Sequence, residues 1–343
     1  MSSSGEVTGK SKGTATITVT AKDGNGAQAT CEVEVRQYVT SITLPPSLSL
    51  EEGQIEALYA TVNPFNANNQ TLQWSSSDIT VATVDNTGQV NAKAKGKVTI
   101  KVTANDGSGA SASCEVVVSP PCPSGAVDMG TKTADGYKLY WATCNIGASN
   151  PEDYGDYYAW GEIEPYYSSQ NPLTWKKGKK NGYHWASYKW ANGAADKLTK
   201  YCPSSKTNYW DGEGAPDGKT VLDPEDDVAH VVLGGNWRMP TDEEWTELST
   251  TCTWTWTSNF NGTGVKGRIV TASNGNSIFL PYTGQRDDTV LRFEGSYGMY
   301  WSSSSYSSRP DIARCFSLSN TNGDYKVGGY NRCKGHAVRP ISE

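Results

Sequence analysis

Cysteine, histidine and paired carboxylates are the side chains that most readily carry chemistry, and this chain arranges none of them in a reactive pattern. Its cysteines are Cys31, Cys114, Cys122, Cys144, Cys202, Cys252, Cys315 and Cys333. No pair has the C-x-x-C spacing of a zinc site or a thioredoxin-type motif. The even count permits disulfides without requiring them, because the chain is long enough to fold without such staples. The histidines, His184, His230 and His336, are scattered. Glu162, Glu164, Asp226 and Asp227 have the residue types of a glycosidase pair, but sequence alone sets no separation between two carboxylates. Asp23-Gly-Asn-Gly26 and Asn105-Asp-Gly-Ser-Gly109 resemble the start of a calcium loop without its distal Glu, so they read as hairpin turns. The expectation is no catalytic residue, no metal and no cofactor.

Binding chemistry is better represented. From Gly295 to Glu343, Ser, Gly and Asn alternate with Tyr, Arg, Lys and Asp. Tyr and Trp supply rigid contact area at low entropy cost, and the small polar residues supply adaptable hydrogen bonds. Tyr, Trp and Arg are also the types enriched at binding hot spots. Within this stretch Phe316 and Leu318 alternate with Cys315, Ser317 and Ser319. A period of two sends the first pair inward and the second set outward.

The elements that must hold this stretch come from the preceding chain. A length of 343 residues suggests two or three domains. Hydrophobic content is low at 36%, and 12 Trp and 19 Tyr make up the shortfall with aromatic cores. Abundant Gly, Ser, Thr and Asn favour a β-rich, turn-rich architecture. A net charge of −6 argues against nucleic acid or an anionic membrane as the partner. No apolar run is long enough to span a bilayer, and Met1-Ser2-Ser3-Ser4 lacks the basic start and apolar core of a signal peptide.

The first third is a repeat. Ser2–Val35 and Asp85–Val118 are one sequence displaced, Gly5 falling on Gly88, Asp23-Gly24 on Asp106-Gly107, and Cys31-Glu32-Val33 on Cys114-Glu115-Val116. Such self-similarity marks tandem copies of one unit. Thr16–Ala21 and Thr99–Ala104 alternate as half-buried strands do, and each runs into an Asp-Gly hairpin turn. The second copy opens at Tyr38 and passes Trp74-Ser-Ser-Ser and Val81-Ala-Thr-Val. With the later Gly-x-Val and Thr-Ile-x-Val-Thr-Ala, this order resembles the bacterial Ig-like domain of group 2. The resemblance implies a small antiparallel sandwich that serves surface proteins as a spacer. Residues 1–37 are the back half of such a unit, and residues 38–119 a complete one. The half unit reads either as part of a longer protein or as one whose missing strands come from a neighbouring chain.

Pro120-Pro121-Cys122-Pro123 makes residues 120–124 a semi-rigid linker. Residues 125–343 form the last domain. Asp223-Pro224-Glu225 reads as a helix start and Gly234-Gly235 as its end. Thr241-Asp-Glu-Glu244 is a capping box, with Trp245 and Leu248 on the buried face of the helix it opens. Strands are expected over 254–257, 265–271, 277–280, 299–303, 312–319 and 336–341, giving an α+β class. Trp175, Trp185, Trp190 and Trp210 read as aromatic core rather than as a sugar platform.

Trp141-Ala-Thr-Cys-Asn-Ile-Gly-Ala, Tyr154-Gly-Asp-Tyr-Tyr-Ala-Trp-Gly-Glu, Gly234-Gly-Asn-Trp-Arg-Met-Pro-Thr, Gly275-Asn-Ser-Ile-Phe-Leu-Pro and the closing Tyr300-Trp-Ser-Ser-Ser with Val338-Arg-Pro resemble the Fibrobacter succinogenes major paralogous domain. That family is common in surface proteins of gut Bacteroidales. The resemblance implies a C-type-lectin-like fold related to formylglycine-generating enzymes. The closing segment is also similar to the variable region of proteins diversified by retroelements, many of them on bacterial or phage surfaces. It implies that Trp301, Val338, Arg339 and Pro340 are scaffold. The displayed ligand-binding residues would be Ser303, Ser305, Tyr306, Ser308, Arg309, Asp311, Arg314, Cys315, Ser317, Ser319, Asn322, Asp324, Tyr325, Lys326, Tyr330, Asn331, Lys334 and His336. The Glu-Pro-Asn or Gln-Pro-Asp signature of calcium-dependent sugar binding is absent, and Glu164-Pro165-Tyr166 does not replace it.

The expected whole is a surface-displayed, non-enzymatic binder on a cell or virion tail. Its partner is a protein or glycan receptor on another cell. There is no nucleic-acid partner and no membrane insertion, and an oligomer stays open. The rival readings are an enzyme of the formylglycine-generating lineage acting on cysteine and a structural decoration without a ligand. Two cysteines such as Cys315 and Cys333 could instead meet across adjacent strands as a disulfide.

Overall fold

Apolar residues at alternate positions commit Gly96–Ala104 to a strand with one buried face, and Val98, Ile100, Val102 and Ala104 lie inward there. In the computed structural model this strand is one of many, for the chain is mostly β with few and short helices. The structure describes residues 4–170, 173–179, 182–320 and 325–343. It divides into two compact units, Met1–Pro121 and Cys122–Glu343.

The first unit begins with β1 (Gly13–Thr20) and β2 (Gln28–Val35), which pair only with each other among the described residues. Then come β3 (Ser41–Thr43), β4 (Ser47–Glu51), β5 (Ile55–Ala57), β6 (Thr61–Asn63), β7 (Leu72–Ser76), β8 (Ala82–Val84), β9 (Gln89–Ala92), β10 (Gly96–Ala104) and β11 (Ser111–Ser119). The sheet β4-β11-β10-β7 and the sheet β5-β9-β8 share a core of Leu50, Leu58, Ala82, Val90, Ile100, Cys114 and Val116. The Asp-Gly turn forms as its residues predict. The Asp106 carboxylate accepts from the Ser108 N–H at 2.9 Å and from the Val39 N–H at 2.6 Å, so one side chain closes the hairpin and anchors an incoming segment.

The second unit contains β12 (Ala126–Lys132), β13 (Lys138–Ala142), β14 (Tyr167–Gln170), β15 (Leu173–Trp175), α1 (Val228–Leu233), β16 (Trp237–Arg238), α2 (Asp242–Thr251), β17 (Thr253–Thr257), β18 (Gly267–Thr271), β19 (Ser277–Pro281), β20 (Gln285–Asp287), β21 (Val290–Arg292), β22 (Tyr297–Ser305), β23 (Ile312–Ser319), β24 (Tyr325–Asn331) and β25 (Ile341–Ser342). The sheets are β12-β13-β25-β16, β17-β18-β19 and β22-β23-β24, with two-stranded ribbons β14-β15 and β20-β21.

Both helices start where their side chains can accept from backbone N–H groups. Thr241 and Glu244 form the expected capping box at α2, and Trp245 and Leu248 are buried behind it. At α1 the helix starts about one turn later than the sequence suggests. Pro224–Asp226 is a 3-10 turn, and Asp227 is the cap, accepting from Ala229 N–H and His230 N–H. The expected strand over 336–341 shrinks to β25, because Pro340 has no N–H to donate and Arg339 turns inward. Conversely β24 escapes the sequence reading, since Gly328 and Gly329 dilute its strand signal.

Arg339 is fully buried, and its guanidinium donates to Asn145 Oδ1 at 2.8 Å, to the carbonyls of Ala142 and Thr143 at 2.9 and 2.8 Å, and to the Phe279 carbonyl at 2.9 Å. One side chain therefore ties together three segments remote in sequence. Arg339→Met keeps an unbranched apolar stem but strands those acceptors. At about 1–3 kcal/mol per unsatisfied buried group, it is expected to destabilise this unit by at least about 3 kcal/mol in urea melts monitored by Trp fluorescence.

Candidate functional site

The sheet β22-β23-β24 carries the residues expected to bind. Both of its faces are covered. On one face, Tyr300, Phe316, Leu318, Tyr325 and Val327 join the core that contains Trp245 of α2. Trp245 stacks on Phe316 at 4.6 Å, and Trp254 stacks on Tyr325 at 4.6 Å. On the other face Met299, Trp301, Ala313 and Cys315 join a second core, with Tyr330 packed at its margin. Two aromatic layers leave only the ends of this sheet to solvent.

That arrangement corrects the expectation that alternate residues are displayed. Cys315 is buried as the cross-strand partner of Trp301. Ser319 is buried, its carbonyl accepting from the Arg268 guanidinium at 2.9 Å. Ser303 and Ser305 are buried because neighbouring loops pair with their backbone: Ser303 N–H with the Pro240 carbonyl, Ser305 N–H with the Thr220 carbonyl. Asp311 is buried under the bidentate grip of Arg309, at 2.9 and 2.6 Å. His336 is buried, stacked on Trp301 at 4.0 Å and bonded to Gln285 at 3.1 Å. Lys334 is half-buried and paired with Asp287. No disulfide joins Cys315 and Cys333: both are buried free thiols in different clusters. Asn322 and Asp324 lie outside the described residues.

Of the remainder, one group comes together at the turn between β22 and β23. Ser308 and Arg309 are exposed there, and Tyr306 and Arg314 are half-buried. The Arg314 guanidinium lies 4.1 Å over the Tyr306 ring, and its Nε is 3.3 Å from the Asp242 carboxylate in the first turn of α2. The ring and the carboxylate hold the guanidinium from two sides. Asn331, exposed, closes the group by pairing with Ile312. Gly329 makes the fit possible. A Cβ there would stand 2.6 Å from Ile312 Cγ2 and 3.2 Å from the Tyr306 ring. The Asp311 carboxylate holds the Arg309 guanidinium even more firmly protonated than usual.

Other expected residues sit elsewhere. Lys326 is exposed and Ser317 half-buried toward the opposite end of the sheet, paired across strands. Tyr325 belongs to the α2-facing core, while Tyr330 lies on the other face, edge-on to His336 at 5.2 Å. The tyrosines therefore do not share one surface. Sequence reasoning missed Asp242 and Gly329. The spacing of a helix cap gives no hint that Asp242 meets Arg314, and a glycine admitting a ring looks like any loop glycine.

Elsewhere in this unit a cleft of about 380 Å³ is lined by Glu162, Glu164, Tyr166, Lys176, Lys179 and Lys189. Its carboxylates are already partnered: Glu162 accepts from Tyr166 Oη at 2.7 Å and Lys179 Nζ at 3.0 Å, and Glu164 from Lys176 at 2.9 Å. Among the described residues no group of His, Cys, Asp and Glu is placed to hold a metal ion. Among the same residues no helix is long and apolar enough to cross a membrane.

Comparison with known proteins bears on the first unit. Residues 38–116 match the model of the bacterial Ig-like domain (group 2). An uncharacterised protein of Clostridium acetobutylicum is 33% identical over 115 residues, covering 33% of this chain and 12% of that protein. The lacto-N-biosidase of Bifidobacterium bifidum is 44% identical over 86 residues, covering 24% of this chain and 8% of the enzyme. The chain thus spans only a small part of the length of these relatives. Among solved structures, domains 1–6 of the surface layer protein SbsC align at 21% identity with a TM-score of 0.24, covering 37% of this chain and 20% of that one. The C-terminal fragment of intimin, solved with its receptor's intimin-binding domain, aligns at 13% identity with a TM-score of 0.24, covering 78% of this chain and 71% of that one. Residues 38–116 are a bacterial Ig-like domain of group 2.

Burial, with a smaller contribution from Lys334, lowers the His336 imidazole from 6.5 to about 3. The unfolded chain therefore takes up its proton first as pH falls. The stability this histidine contributes is full above pH 6.5 and declines between pH 6.5 and about 3, by up to about 1.4 kcal/mol per pH unit. His336→Phe should flatten this part of the acid limb. Urea midpoints at neutral and mildly acid pH, wild type against variant, measure the difference.

Proposed function

We propose that this chain is a non-enzymatic, surface-displayed binding protein. Its Ig-like units act as spacers for a C-type-lectin-like domain formed by residues 125–343. The ligand is a receptor on another cell, gripped at the β22–β23 turn by Tyr306, Ser308, Arg309 and Arg314. The observation that carries the reading is the Tyr306–Arg314–Asp242 stack. It presents a tyrosine and an arginine, already fixed in position, at the edge of a sheet locked between two aromatic layers. Side chains ordered before binding lose less entropy when the partner arrives. Tyr and Arg in such a setting are the usual anchors of a protein–protein contact, so a protein receptor is favoured over a glycan.

The state of the cysteines supports binding over the cysteine-oxidising alternative. Burial pushes the Cys333 thiol up to about 12 and the Cys315 thiol well above its usual range. Both stay protonated at neutral pH, where a thiolate is the reactive form. The domain boundaries, display on a cell or virion, and diversification of the closing segment by a retroelement rest on the sequence resemblance. Deep sequencing of the locus within one strain tests the last of these, and an invariant 3′ end would remove it.

The full chain should be screened against arrays of cell-surface proteins and of glycans. Tyr306→Ala with Arg314→Ala is expected to weaken the best ligand by about 30-fold or more, with little change in melting temperature. Tyr325→Ala should do the reverse, costing about 2 kcal/mol of stability through the lost Trp254 stack while leaving affinity intact. Unchanged binding by the double variant would refute the proposed rim. A best ligand found only on the glycan array would shift the reading to carbohydrate.

A further inference from the structure

Buried arginines in the second unit normally have carbonyls to hold. Arg268, Arg332 and Arg339 each donate to at least one. Arg286, on β20, does not. It is only 8% exposed, yet among the described residues its guanidinium has no hydrogen bond and no ion pair. Its Nε is cut off from solvent without a partner. The two terminal nitrogens, unpartnered as well, keep contact with solvent and form the open end of the side chain.

The surroundings show how the charge is held and what it lacks. Alternation along β20 sends Gln285 and Asp287 to one side and Arg286 to the other. Gln285 is bonded to His336, and Asp287 pairs with Arg292 at 3.0 Å and with Lys334. On its own side the Arg286 guanidinium lies 5.3 Å from the centre of the Tyr157 ring and 5.1 Å from that of Tyr167. Ring faces attract a cation without accepting its N–H groups as an oxygen does. The hydroxyls nearby are already used. Tyr157 Oη donates to the Thr283 carbonyl, Tyr183 Oη donates to the Tyr157 carbonyl, and Tyr167 Oη accepts from the Tyr157 N–H at 2.8 Å. Burial raises the pKa of all three phenols, so none ionises to become the missing anion. Asp156 is engaged with the Tyr167 hydroxyl, and Glu294 is exposed and forms no ion pair with Arg286. Gly335 closes the back of the recess, where a Cβ would stand 2.8 Å from Tyr183 Cε1 and 3.0 Å from Arg286 Cβ.

An unpaired charge in such a setting costs stability unless acceptors come from outside the chain. We infer that the Arg286 recess is a binding site for a carboxylate carried by a small ligand. The two carboxylate oxygens match the planar pair of terminal N–H donors, and the Tyr157 and Tyr167 rings hold the guanidinium in place to meet them. The recess shares no residue with the β22–β23 turn and does not rest on the reading of that turn.

The test is isothermal titration calorimetry of the full chain with sodium acetate, glucuronate and N-acetylglycine, at constant ionic strength set with chloride. These probes present the same carboxylate free, on a sugar and at a peptide end. At least one should bind saturably at one per chain, and the tightest identifies the carrier. Arg286→Met keeps an apolar stem between the rings and removes the charge. It should weaken binding by at least about tenfold. The melting temperature of the unliganded variant should be unchanged or higher, because no bond is lost with an unpaired charge. A lower melting temperature overturns the inference, since Arg286 is then a structural donor like the other three. So does equal binding by the variant, the absence of saturable heat with all three carboxylates, or tighter binding of inorganic sulfate than of any of them.

Discussion

Buried guanidinium groups donating to backbone carbonyls hold the second unit together. Much of that unit, particularly between β13 and α1, runs without long strands or helices, so its carbonyls lack the partners that regular structure supplies. Arg268, Arg332 and Arg339 are almost wholly buried and meet this need. Arg332 donates to the Tyr201 carbonyl at 2.7 Å and to that of Lys200 at 3.3 Å while lying 4.6 Å over the Trp160 ring. Arg268 reaches the Ser319 carbonyl, and Arg339 gathers three segments. Burial lowers the pKa of Arg332 and Arg339 from the ordinary value. A planar group with five fixed donors suits this work better than a lysine.

The proposed function rests on that frame. With Arg268 holding the Ser319 end of β23, Trp245 and Trp254 pack one side of that strand and Trp301 the other. A strand covered on both sides cannot present a face. What it can present is its turn, and there Tyr306, Ser308, Arg309 and Arg314 meet. Asp242 links this turn to the α2 cap, so the proposed contact surface inherits the rigidity of the core beneath it.

The repeat, the Asp-Gly turns and the α2 capping box were legible because each depends on residues close together in sequence. The two-sided burial of β23 was not. Ser303, Ser305, Cys315 and Ser319 are small, and in composition small polar residues look like surface. Here their size lets a strand fit between aromatic layers, and their backbones bond to loops distant in sequence. His336 misled in the same way: a polar ring in a Gly-rich stretch reads as exposed, yet it stacks on Trp301. Gly328 and Gly329 hid a strand for a related reason. An absent side chain weakens the β signal even where, as at Gly329, that absence is what admits the Tyr306 ring.

The central claim is that a rigid interior frees the turn to vary. Saturation mutagenesis of residues 295–343 and of Arg268, read out as folded protein on a display host, measures this at every position at once. Wide tolerance at Tyr306, Ser308, Arg309, Lys326 and Asn331, with near-complete intolerance at Arg268, Arg332, Arg339, Cys315 and Trp301, is the predicted pattern. A turn as intolerant as the buried positions would contradict it.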